Sequence, residues 1–474
     1  MRATKPVPTR GPITERPVRL FALVGGATLL TSINFSLMFI AYGHIATTFR
    51  ADATTVSWAL TGFSITAAAL LVPAGWMADR FGRERIFASG IGFFTVGSGI
   101  VAWSPSIGVL IFGRVIQAVG LVFETSSSLP ILLDVFPVSK RATIVGSLGA
   151  TGGVAASLGP VIGGALVDAY GWRTTFALNV PIGAVLGIFV LSRLPMSPPK
   201  LGAPPPDLFG VAALALGMGS LVLAITHVSV WGLTDARTLG AAVAAVALIS
   251  TVVVRSRSHP DPVLYLPLFR DRSYRRGVIL NVVIAGTFAG TFFTFIRLLT
   301  AGWGLSTFHA GLAVAVIPLF GGPLSFVAGR LADRHGPRRV IVPGSLIIAV
   351  AGLIFSVFVS EHENVLGLFL PIGVLYGIGV GFAHAACNSA ALRTVSNDRL
   401  GIGGAMSRMG MDMGGIISIA VAVALVSSAD HPVAGVRVVT IGLSVVCVIG
   451  AALALRLDVG IPRQAGDAVA VADV

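Results

Sequence analysis

Two carboxyl groups lie within long apolar stretches of the sequence, where an ionisable side chain is costly and is by default a candidate for function. Glu124 follows Arg114 by ten residues, and Asp412 follows Arg408 by four, on the same face of a helix. Such a carboxyl can bind and release a proton, because burial raises its pKa and a nearby arginine lowers it. Glu124 is the first candidate for a coupling proton and Asp412 the second. A structural alternative stays open for each, with Glu124 held by neighbours on its helix or by Arg114, and Asp412 held ionised by Arg408.

Several other polar side chains in the apolar stretches are candidates for lining a substrate or coupling cavity. They are Asn34, Arg114, Gln117, Arg297, His384 and Arg408. His384 adds a titratable group, although a single histidine inside a membrane more often makes structural hydrogen bonds. The sequence shows no nucleophile–base pair, no metal-binding cluster and no phosphate-binding P-loop. It therefore predicts a protein that is not an enzyme and that uses no cofactor and no metal.

The elements that must position these side chains are membrane-spanning helices. Of the 474 residues, 55% are hydrophobic and only 11% are charged, and the mean hydropathy is +0.89, whereas about a quarter of the residues of a soluble domain are charged. The apolar runs are about 20 residues long, which favours helices over the shorter strands of a barrel. The net charge of +13 resides in short loops between these runs, so no nucleic-acid partner is expected. Cys387 and Cys447 lie inside apolar runs and predict no disulfide.

The fold class predicted from these runs is an all-α polytopic membrane protein with fourteen transmembrane helices. They form two six-helix halves plus two extra central helices. The predicted spans are 20–42, 55–78, 86–104, 109–132, 143–168, 174–192, 208–227, 238–254, 277–298, 309–329, 340–359, 365–386, 402–427 and 436–455. A twelve-span alternative treats 208–254 as re-entrant.

The domain organisation follows from the spans and from a Pro-rich stretch between the first half and the extra helices. The predicted units are a cytoplasmic basic tail (1–18), an N-terminal six-helix bundle (19–194), a Pro-rich linker (195–206), two extra transmembrane helices (207–255), a cytoplasmic basic interfacial segment (256–276), a C-terminal six-helix bundle (277–456) and a cytoplasmic tail (457–474).

Lysine and arginine positions predict the orientation, because basic residues collect in cytoplasmic loops. Of the 33 basic residues, 26 fall on the side of the N-terminus. The exceptions are Arg50, Arg173, Arg237 and Arg437 on the other side, and Arg114, Arg297 and Arg408 within spans. Dropping one span would destroy this asymmetry. We therefore expect a multi-pass protein of the plasma (inner) membrane with both termini in the cytoplasm.

A charged turn occurs twice in the chain, and this repeat implies two homologous halves. The first copy runs from Gly75 to Arg85, and the second begins at Gly329. Asp79 and Asp333 are 254 residues apart, and the surrounding residues fall in register. The repeat predicts a conformational gate formed by Gly75, Asp79, Arg80, Gly82, Arg83, Asp134, Asp333, Arg334 and Gly336.

Physical reasons support that gate. Gly75 would let its helix approach a neighbour closely, and Gly82 permits a turn that a side chain would obstruct. Asp79 can accept hydrogen bonds from the positive end of a facing helix in the other half. Arg83 is placed to pair with Asp134. The alternative is a basic loop that sets orientation and has no switching role.

These residues resemble the major facilitator superfamily over roughly residues 20–456, and more narrowly its fourteen-helix drug:proton antiporter branch. The Gly75–Arg85 turn is similar to the family's loop between helices 2 and 3, and Gly113-Arg114-Val-Ile-Gln117-Ala-Val-Gly120 is similar to its helix 4 signature. The helix 5 antiporter signature is matched by Gly146, Gly159, Pro160, Gly163 and Gly164. The resemblance implies that this helix 5 surface seals the interface between the halves on the inner side and accompanies export.

Two positions depart from the branch's pattern. Asn34 stands where the branch usually carries an acidic residue in helix 1. In helix 13 the branch usually has Asn followed three residues later by Arg-Gln, where this chain has Arg408 followed by Met411-Asp412. Glu124 is accordingly interpreted as a displaced proton site.

The leading hypothesis is a secondary active multidrug or metabolite exporter, coupled to protons, that works by alternating access of two helical halves. Its expected partners are a small amphipathic substrate, protons and the lipid bilayer, and the expected state is a monomer. The alternative is a dedicated exporter or facilitator of one anionic metabolite or lipid without proton coupling, with Arg297 or Arg408 binding the anionic group. A membrane enzyme or receptor would need catalytic residues or a soluble domain that the sequence lacks.

Overall fold

The computed structural model describes residues 17–136, 141–194, 207–259, 262–395, 399–429 and 431–457. Within these ranges the chain is helical and contains no strand, and fourteen helices are long and apolar enough to cross a membrane. The helices are α1 (Pro17–Phe49), α2 (Ala53–Phe81), α3 (Arg83–Ala102), α4 (Ile107–Val135), α5 (Arg141–Tyr170), α6 (Trp172–Ala177), α7 (Asn179–Arg193), α8 (Leu208–Trp231), α9 (Ala236–Arg255), α10 (Arg272–Arg297), α11 (Thr307–His335), α12 (Arg338–Phe358), α13 (Leu370–Leu392), α14 (Leu400–Ser427) and α15 (Pro432–Ala454). The predicted fold class is confirmed.

The extra pair of helices crosses the membrane twice rather than folding back. Leu208–Val228 and Ala236–Arg255 each form a span of sufficient length, so the twelve-span alternative is wrong. Helices α6 and α7 together make one span, Trp172–Arg193. Helix α10 begins at Arg272, so the end of the predicted interfacial segment 256–276 forms its first turns. The proposed linker and most of both proposed tails lie outside the described residues.

The halves are α1–α7 and α10–α15, and tight helix pairs hold each half together. Helices α3 and α4 form the closest pair of the first half. A Cβ at Gly113 would lie 2.9 Å from Ile100 Cγ2, and one at Gly97 would lie 2.7 Å from the Gln117 backbone nitrogen. Only glycine allows the helices to approach this closely, and so α4 is fixed against α3 at the depth where Arg114 points inward.

The ends of the helices form two faces of the molecule, which differ in the arginines that they carry. The basic face is the side where α1 begins, and it carries Arg80, Arg83, Arg85, Arg255, Arg334 and Arg338. The opposite face is the side where α1 ends, and it carries Arg50, Arg173, Arg237 and Arg437. Because helices alternate in direction, α5 ends and α11 begins at the opposite face.

The extra helices lie over one seam between the halves. Helix α8 packs against both α2 and α14, with Met218 in an apolar cluster that includes Ile65 of α2 and Ile416 of α14. At the basic face, Asp207 caps the first turn of α8 through Gly210 N (2.9 Å) and pairs with Arg255 of α9, whose Nε lies 2.7 Å from Oδ1. The α8–α9 pair is therefore tied together where it enters the membrane.

Candidate functional site

Glu124 is fully buried in α4, and hydroxyl groups surround its carboxyl. Thr28 Oγ1 lies 2.6 Å from Oε1, Thr31 Oγ1 lies 3.3 Å from Oε2, and Ser128 Oγ lies 2.6 Å from Oε1. Two of these hydroxyls come from α1, so the carboxyl joins α1 to α4. Within the described residues no basic side chain pairs with it, and the alternative in which Arg114 holds Glu124 is wrong.

Each of the three hydroxyls also reaches a backbone carbonyl, which gives it a second acceptor. Thr28 Oγ1 lies 3.1 Å from Val24 O, Thr31 Oγ1 lies 3.2 Å from Ala27 O, and Ser128 Oγ lies 2.7 Å from the carbonyl of Glu124. A hydroxyl rotates freely to suit its surroundings. With an ionised carboxylate the hydroxyls donate to it, and with a protonated carboxyl one hydroxyl accepts from it and donates to its carbonyl. The site therefore satisfies both protonation states of Glu124.

Arg114, also fully buried in α4, lies in a second polar site. Its Nη1 donates to Asn34 Oδ1 (2.6 Å) and to Gln117 Oε1 (2.9 Å), and its Nε donates to the carbonyl of Ala59 (3.0 Å). The guanidinium carbon lies 4.2 Å from the centre of the Phe63 ring. The predicted cavity residues Asn34, Arg114 and Gln117 are thus brought together from α1 and α4, with α2 supplying the ring.

The remaining predicted polar residues lie in the second half. Arg408 Nε lies 3.3 Å from Asp412 Oδ1 on α14, with the arginine side chain 60% exposed and the aspartate 23% exposed. His384 is half-buried on α13. Arg297 lies at the end of α10 over the ring of Tyr42 in the first half, 5.7 Å from its centre. Asp412 therefore has a basic partner that Glu124 lacks, which favours the structural interpretation of Asp412.

The repeated turn has the same geometry in both halves. Gly82 and Gly336 end α2 and α11 with φ of 102° and 86°, in the left-handed region that favours glycine. Each donates its N–H to the carbonyl four residues earlier, at 3.1 Å to Ala78 and 2.9 Å to Ala332. The turn therefore depends on glycine at this position in both halves, as the sequence predicts.

The charged residues of the first turn pair within their own half. Arg83 lies 3.2 Å from Asp134, the predicted partner, and 3.1 Å from Asp79. Asp79 is 65% exposed and accepts from Arg83 rather than from a helix of the other half. A Cβ on Gly75 would meet nothing within 4 Å, so the expected close helix approach at Gly75 is wrong in this conformation. The reason is that no described residue of a neighbouring helix reaches α2 at this position.

Arg80 and Arg334, two other members of the predicted gate, also lie at the basic face. Arg80 stacks over Trp76, 5.3 Å from its ring centre. Arg334 is exposed and lines a cavity of about 530 Å³ with Val327, Arg330 and Leu331. Asp333 lies in α11, and its side chain is outside the described residues.

The helix 5 residues face two different neighbours. A Cβ at Gly159 would lie 2.7 Å from Ser36 Cβ, and one at Gly163 would lie 2.5 Å from Leu37 Cδ2, both in α1. A Cβ at Gly164 would lie 2.5 Å from the carbonyl oxygen of Thr307 in α11. Pro160 packs beside Gly311 of α11. Gly164 and Pro160 thus lie on the interface between the halves. They do so beside the start of α11 at the opposite face, so the implied seal on the inner side is not formed by these residues in this conformation.

The environment of Gly146, near the start of α5, lies outside the described residues.

Asp168 is an interface residue that was not predicted from the sequence. Asp168 at the end of α5 accepts from the backbone N–H groups of Phe308 (2.7 Å) and Thr307 (3.2 Å), the first residues of α11 in the other half. A carboxylate at a helix N-terminus satisfies unpaired N–H groups and the helix dipole. The signal was weak, because an acidic residue at the end of an apolar run is ordinary. The contact of Asp168 with α11 joins the halves at the opposite face. The ring of Tyr42 in α1 also packs against Phe293 in α10 there, with 5.1 Å between the ring centres.

Two similar helical halves that share an interface, with buried polar groups among the membrane-spanning helices, are the architecture of a membrane transporter. The family model of the Major Facilitator Superfamily matches residues 24–273 and 278–470. The chain belongs to this family of transporters.

Curated relatives include efflux and export proteins. The chain is 27% identical to the tetracenomycin C resistance and export protein of Streptomyces glaucescens, over 87% of this chain and 76% of the relative. It is 27% identical to the drug efflux pump JefA of Mycobacterium tuberculosis, over 85% and 79%. It is 26% identical to the riboflavin transporter RibZ of Clostridioides difficile, over 79% and 80%. This chain is therefore similar to each of these three relatives along most of the relative's length.

Among solved structures, the crystal structure of the POT family transporter PepTSo has the same fold. The TM-score is 0.67 at 15% identity, and the match covers 93% of this chain and 97% of that one.

Proposed function

We propose that this protein is a secondary active exporter of small amphipathic drugs or metabolites, coupled to protons, that works by alternating access of its two halves. The observation that carries the proposal is the site of Glu124, a buried carboxyl whose hydroxyl partners can satisfy it with or without a proton. A coupling residue needs both states within one cycle. The names of two relatives, an export protein and a drug efflux pump, support the direction of transport.

The conformation of the chain supports alternating access. The halves touch at the opposite face through Asp168 and the start of α11, while Asp79 and Arg334 are exposed at the basic face. We take the basic face as cytoplasmic, because arginine and lysine collect on that side. Both termini would then lie in the cytoplasm, and the protein would sit in the plasma membrane as a monomer open to the cytoplasm.

The transport cycle follows from this arrangement. In the cytoplasm-open form, Glu124 loses its proton to the cytoplasm and substrate enters between the halves. The halves then rock, the contact of Asp168 with Phe308 breaks, and substrate leaves at the opposite face. Glu124 takes a proton from that side, and the neutral carboxyl returns with the halves. The proton gradient therefore drives each turn of the cycle in the direction of export.

A second candidate is an exporter or facilitator of an anionic compound without proton coupling. The observation that favours it is Arg114, a buried cation with uncharged hydrogen-bond partners. The two candidates differ in whether substrate movement requires a proton gradient.

Proteoliposomes test the proposal directly. Accumulation of ethidium, an amphipathic cation, and of naphthoate, an aromatic acid, is measured with an imposed pH gradient and again after nigericin has collapsed it. Gradient-dependent accumulation of either probe above that in protein-free liposomes is the expected result, because naphthoic acid crosses lipid unaided in its neutral form. Transport that is the same with and without the gradient would leave the facilitator as the better account.

A further inference from the structure

Arg114 is a fully buried cation that no carboxylate neutralises in the described part of the chain. Its three acceptors are the side-chain oxygens of Asn34 and Gln117 and the carbonyl of Ala59, all uncharged. Glu124, ten residues along α4, is roughly 15 Å away by the helical rise and is held by hydroxyls instead. A buried charge without a counter-charge is costly. An anion at this site would reduce that cost.

Two N–H donors at the site remain unused. Arg114 Nη2 and Asn34 Nδ2 are buried and make no hydrogen bond to any residue that the structure describes. The two side chains already touch, since Arg114 Nη1 lies 2.6 Å from Asn34 Oδ1. Neighbouring donors of which one is a guanidinium are the groups that proteins use to bind carboxylates and other oxyanions. Gln117 does not compete for this role, because its own amide donates to Ser98 Oγ at 2.7 Å.

Aromatic rings continue from this site to the other half. The Phe63 ring lies under the guanidinium, with Phe35 6.3 Å from Phe63 and Phe39 5.2 Å from Phe35. Phe39 then meets Phe292 of α10 edge to face, at 5.5 Å. Phe63, Phe39 and Phe292 are buried in this conformation, so a planar apolar ligand would meet the edges and faces of these rings only when the helices part. The row begins at a cation and ends at the interface between the halves.

We propose that Arg114 and Asn34 bind the anionic group of the transported compound, and that its aromatic body lies against the phenylalanine row. The substrate class is therefore an aromatic acid. This inference rests on the proposed function, because it assigns a ligand to a transporter. It differs from the expectation for Arg297 and Arg408, since Arg297 lies over Tyr42 and Arg408 already pairs with Asp412.

Calorimetric titration of the purified full-length protein tests the site with naphthoate and its uncharged amide, naphthamide. The wild type is expected to bind naphthoate at least about tenfold more tightly, the range of a charge-assisted hydrogen bond. Arg114→Gln should abolish this preference and leave naphthamide binding unchanged. Asn34→Asp should abolish it too, because the new carboxylate would lie against Arg114 and replace the ligand's charge. Arg237→Gln, at an exposed position on α9 outside both halves, is the control and should keep the preference.

Three results would overturn the proposal. One is equal affinity for naphthoate and naphthamide in the wild type, and another is an unchanged naphthoate preference in both Arg114→Gln and Asn34→Asp. The third is Arg114-dependent binding of chloride without binding of naphthoate, which would mark a site for an inorganic ion. If the protein preferred naphthoate but its transport did not depend on the pH gradient, the anion site would stand and proton coupling would be rejected. Failure of the anion site and failure of proton coupling are therefore distinguishable.

Discussion

The carboxylate of Asp168 in the first half caps α11 of the second half, with Oδ2 2.7 Å from the backbone nitrogen of Phe308. This contact joins the two halves at the opposite face, where the proposed exporter would open to release substrate. It combines a hydrogen bond with the positive end of a helix, so it stabilises the closed form without a basic partner. In the proposed cycle this contact breaks when the halves rock apart.

Asp168→Ala is expected to favour the form open at the opposite face. Loss of a helix cap costs about 1 kcal/mol, which shifts a two-state population about fivefold. Spin labels on the exposed positions Tyr170 and Glu361, one in each half, would report the separation. The native Cys387 and Cys447 are buried and should not take up label. Asp168→Asn is the control, because asparagine also caps helices. An unchanged distance distribution in Asp168→Ala would show that the cap does not hold this face closed.

Gly164→Ala should impair transport by crowding the same interface. The added Cβ would lie 2.5 Å from the carbonyl oxygen of Thr307 and 2.7 Å from Phe308 Cα, both backbone atoms that yield little. Overpacking of this kind costs roughly 1–3 kcal/mol, here in the closed form alone. Gly152→Ala on the same helix is the control, since nothing lies within 4 Å of its Cβ. Equal transport rates for the two variants would contradict the assigned role of the α5–α11 contact.

Thr28→Val should slow transport by removing the 2.6 Å hydrogen bond to Glu124. A hydrogen bond to a charged group contributes about 1.5–3 kcal/mol, so we expect turnover to fall about tenfold or more if proton release limits the cycle. Ser126→Ala is the control, because the Ser126 hydroxyl donates to the carbonyl of Phe123 and not to Glu124. Initial rates in proteoliposomes measure the effect. A Thr28→Val variant as fast as Ser126→Ala would show that this hydroxyl does not serve the carboxyl.

The link between α8 and α9 should depend on pH through Asp207. Burial raises the pKa of its carboxyl, but the N–H of Gly210 and the guanidinium of Arg255 outweigh burial and hold the pKa below its ordinary value. The stabilisation is thus present above the unfolded pKa, near 4, and is lost as pH falls through the lower folded pKa. In detergent, the melting temperature of the wild type should fall as the pH is lowered into this range, and that fall should be smaller in Asp207→Asn. Parallel acid melting curves for wild type and Asp207→Asn would contradict the assignment.

Much of the fold could be predicted from the sequence, because each span is a local property of an apolar run. The turn glycines Gly82 and Gly336 and the pair of Arg83 with Asp134 were also predictable, since a repeated motif fixes the turn and a nearby carboxylate suits the arginine. The packing expectation for Gly75 failed because a glycine in a motif does not show which helix, if any, will pack against it, and no described residue lies within 4 Å of its Cβ position.

Most partners of the candidate site were not predictable, because they come from other helices. The exceptions are Ser128 and Gln117, which lie on α4 with Glu124 and Arg114. Nothing in the sequence of α4 indicates that Thr28 and Thr31 of α1 face Glu124, or that Asn34 faces Arg114. Those pairs depend on how α1 is rotated against α4, which tertiary packing decides. Asp168 escaped notice for the same reason, since its partner is the backbone of a helix 139 residues away.

The most direct test of the central claim, that Glu124 carries the coupling proton, is substrate-driven proton movement in proteoliposomes containing a pH-sensitive dye. Wild type, Glu124→Gln and Asp412→Asn are compared, with naphthoate or ethidium as the driving solute. The account predicts that Glu124→Gln moves no protons and loses gradient-driven accumulation, while Asp412→Asn stays coupled because Arg408 already holds that carboxyl in an ion pair. Proton movement in Glu124→Gln equal to that of the wild type would contradict the account.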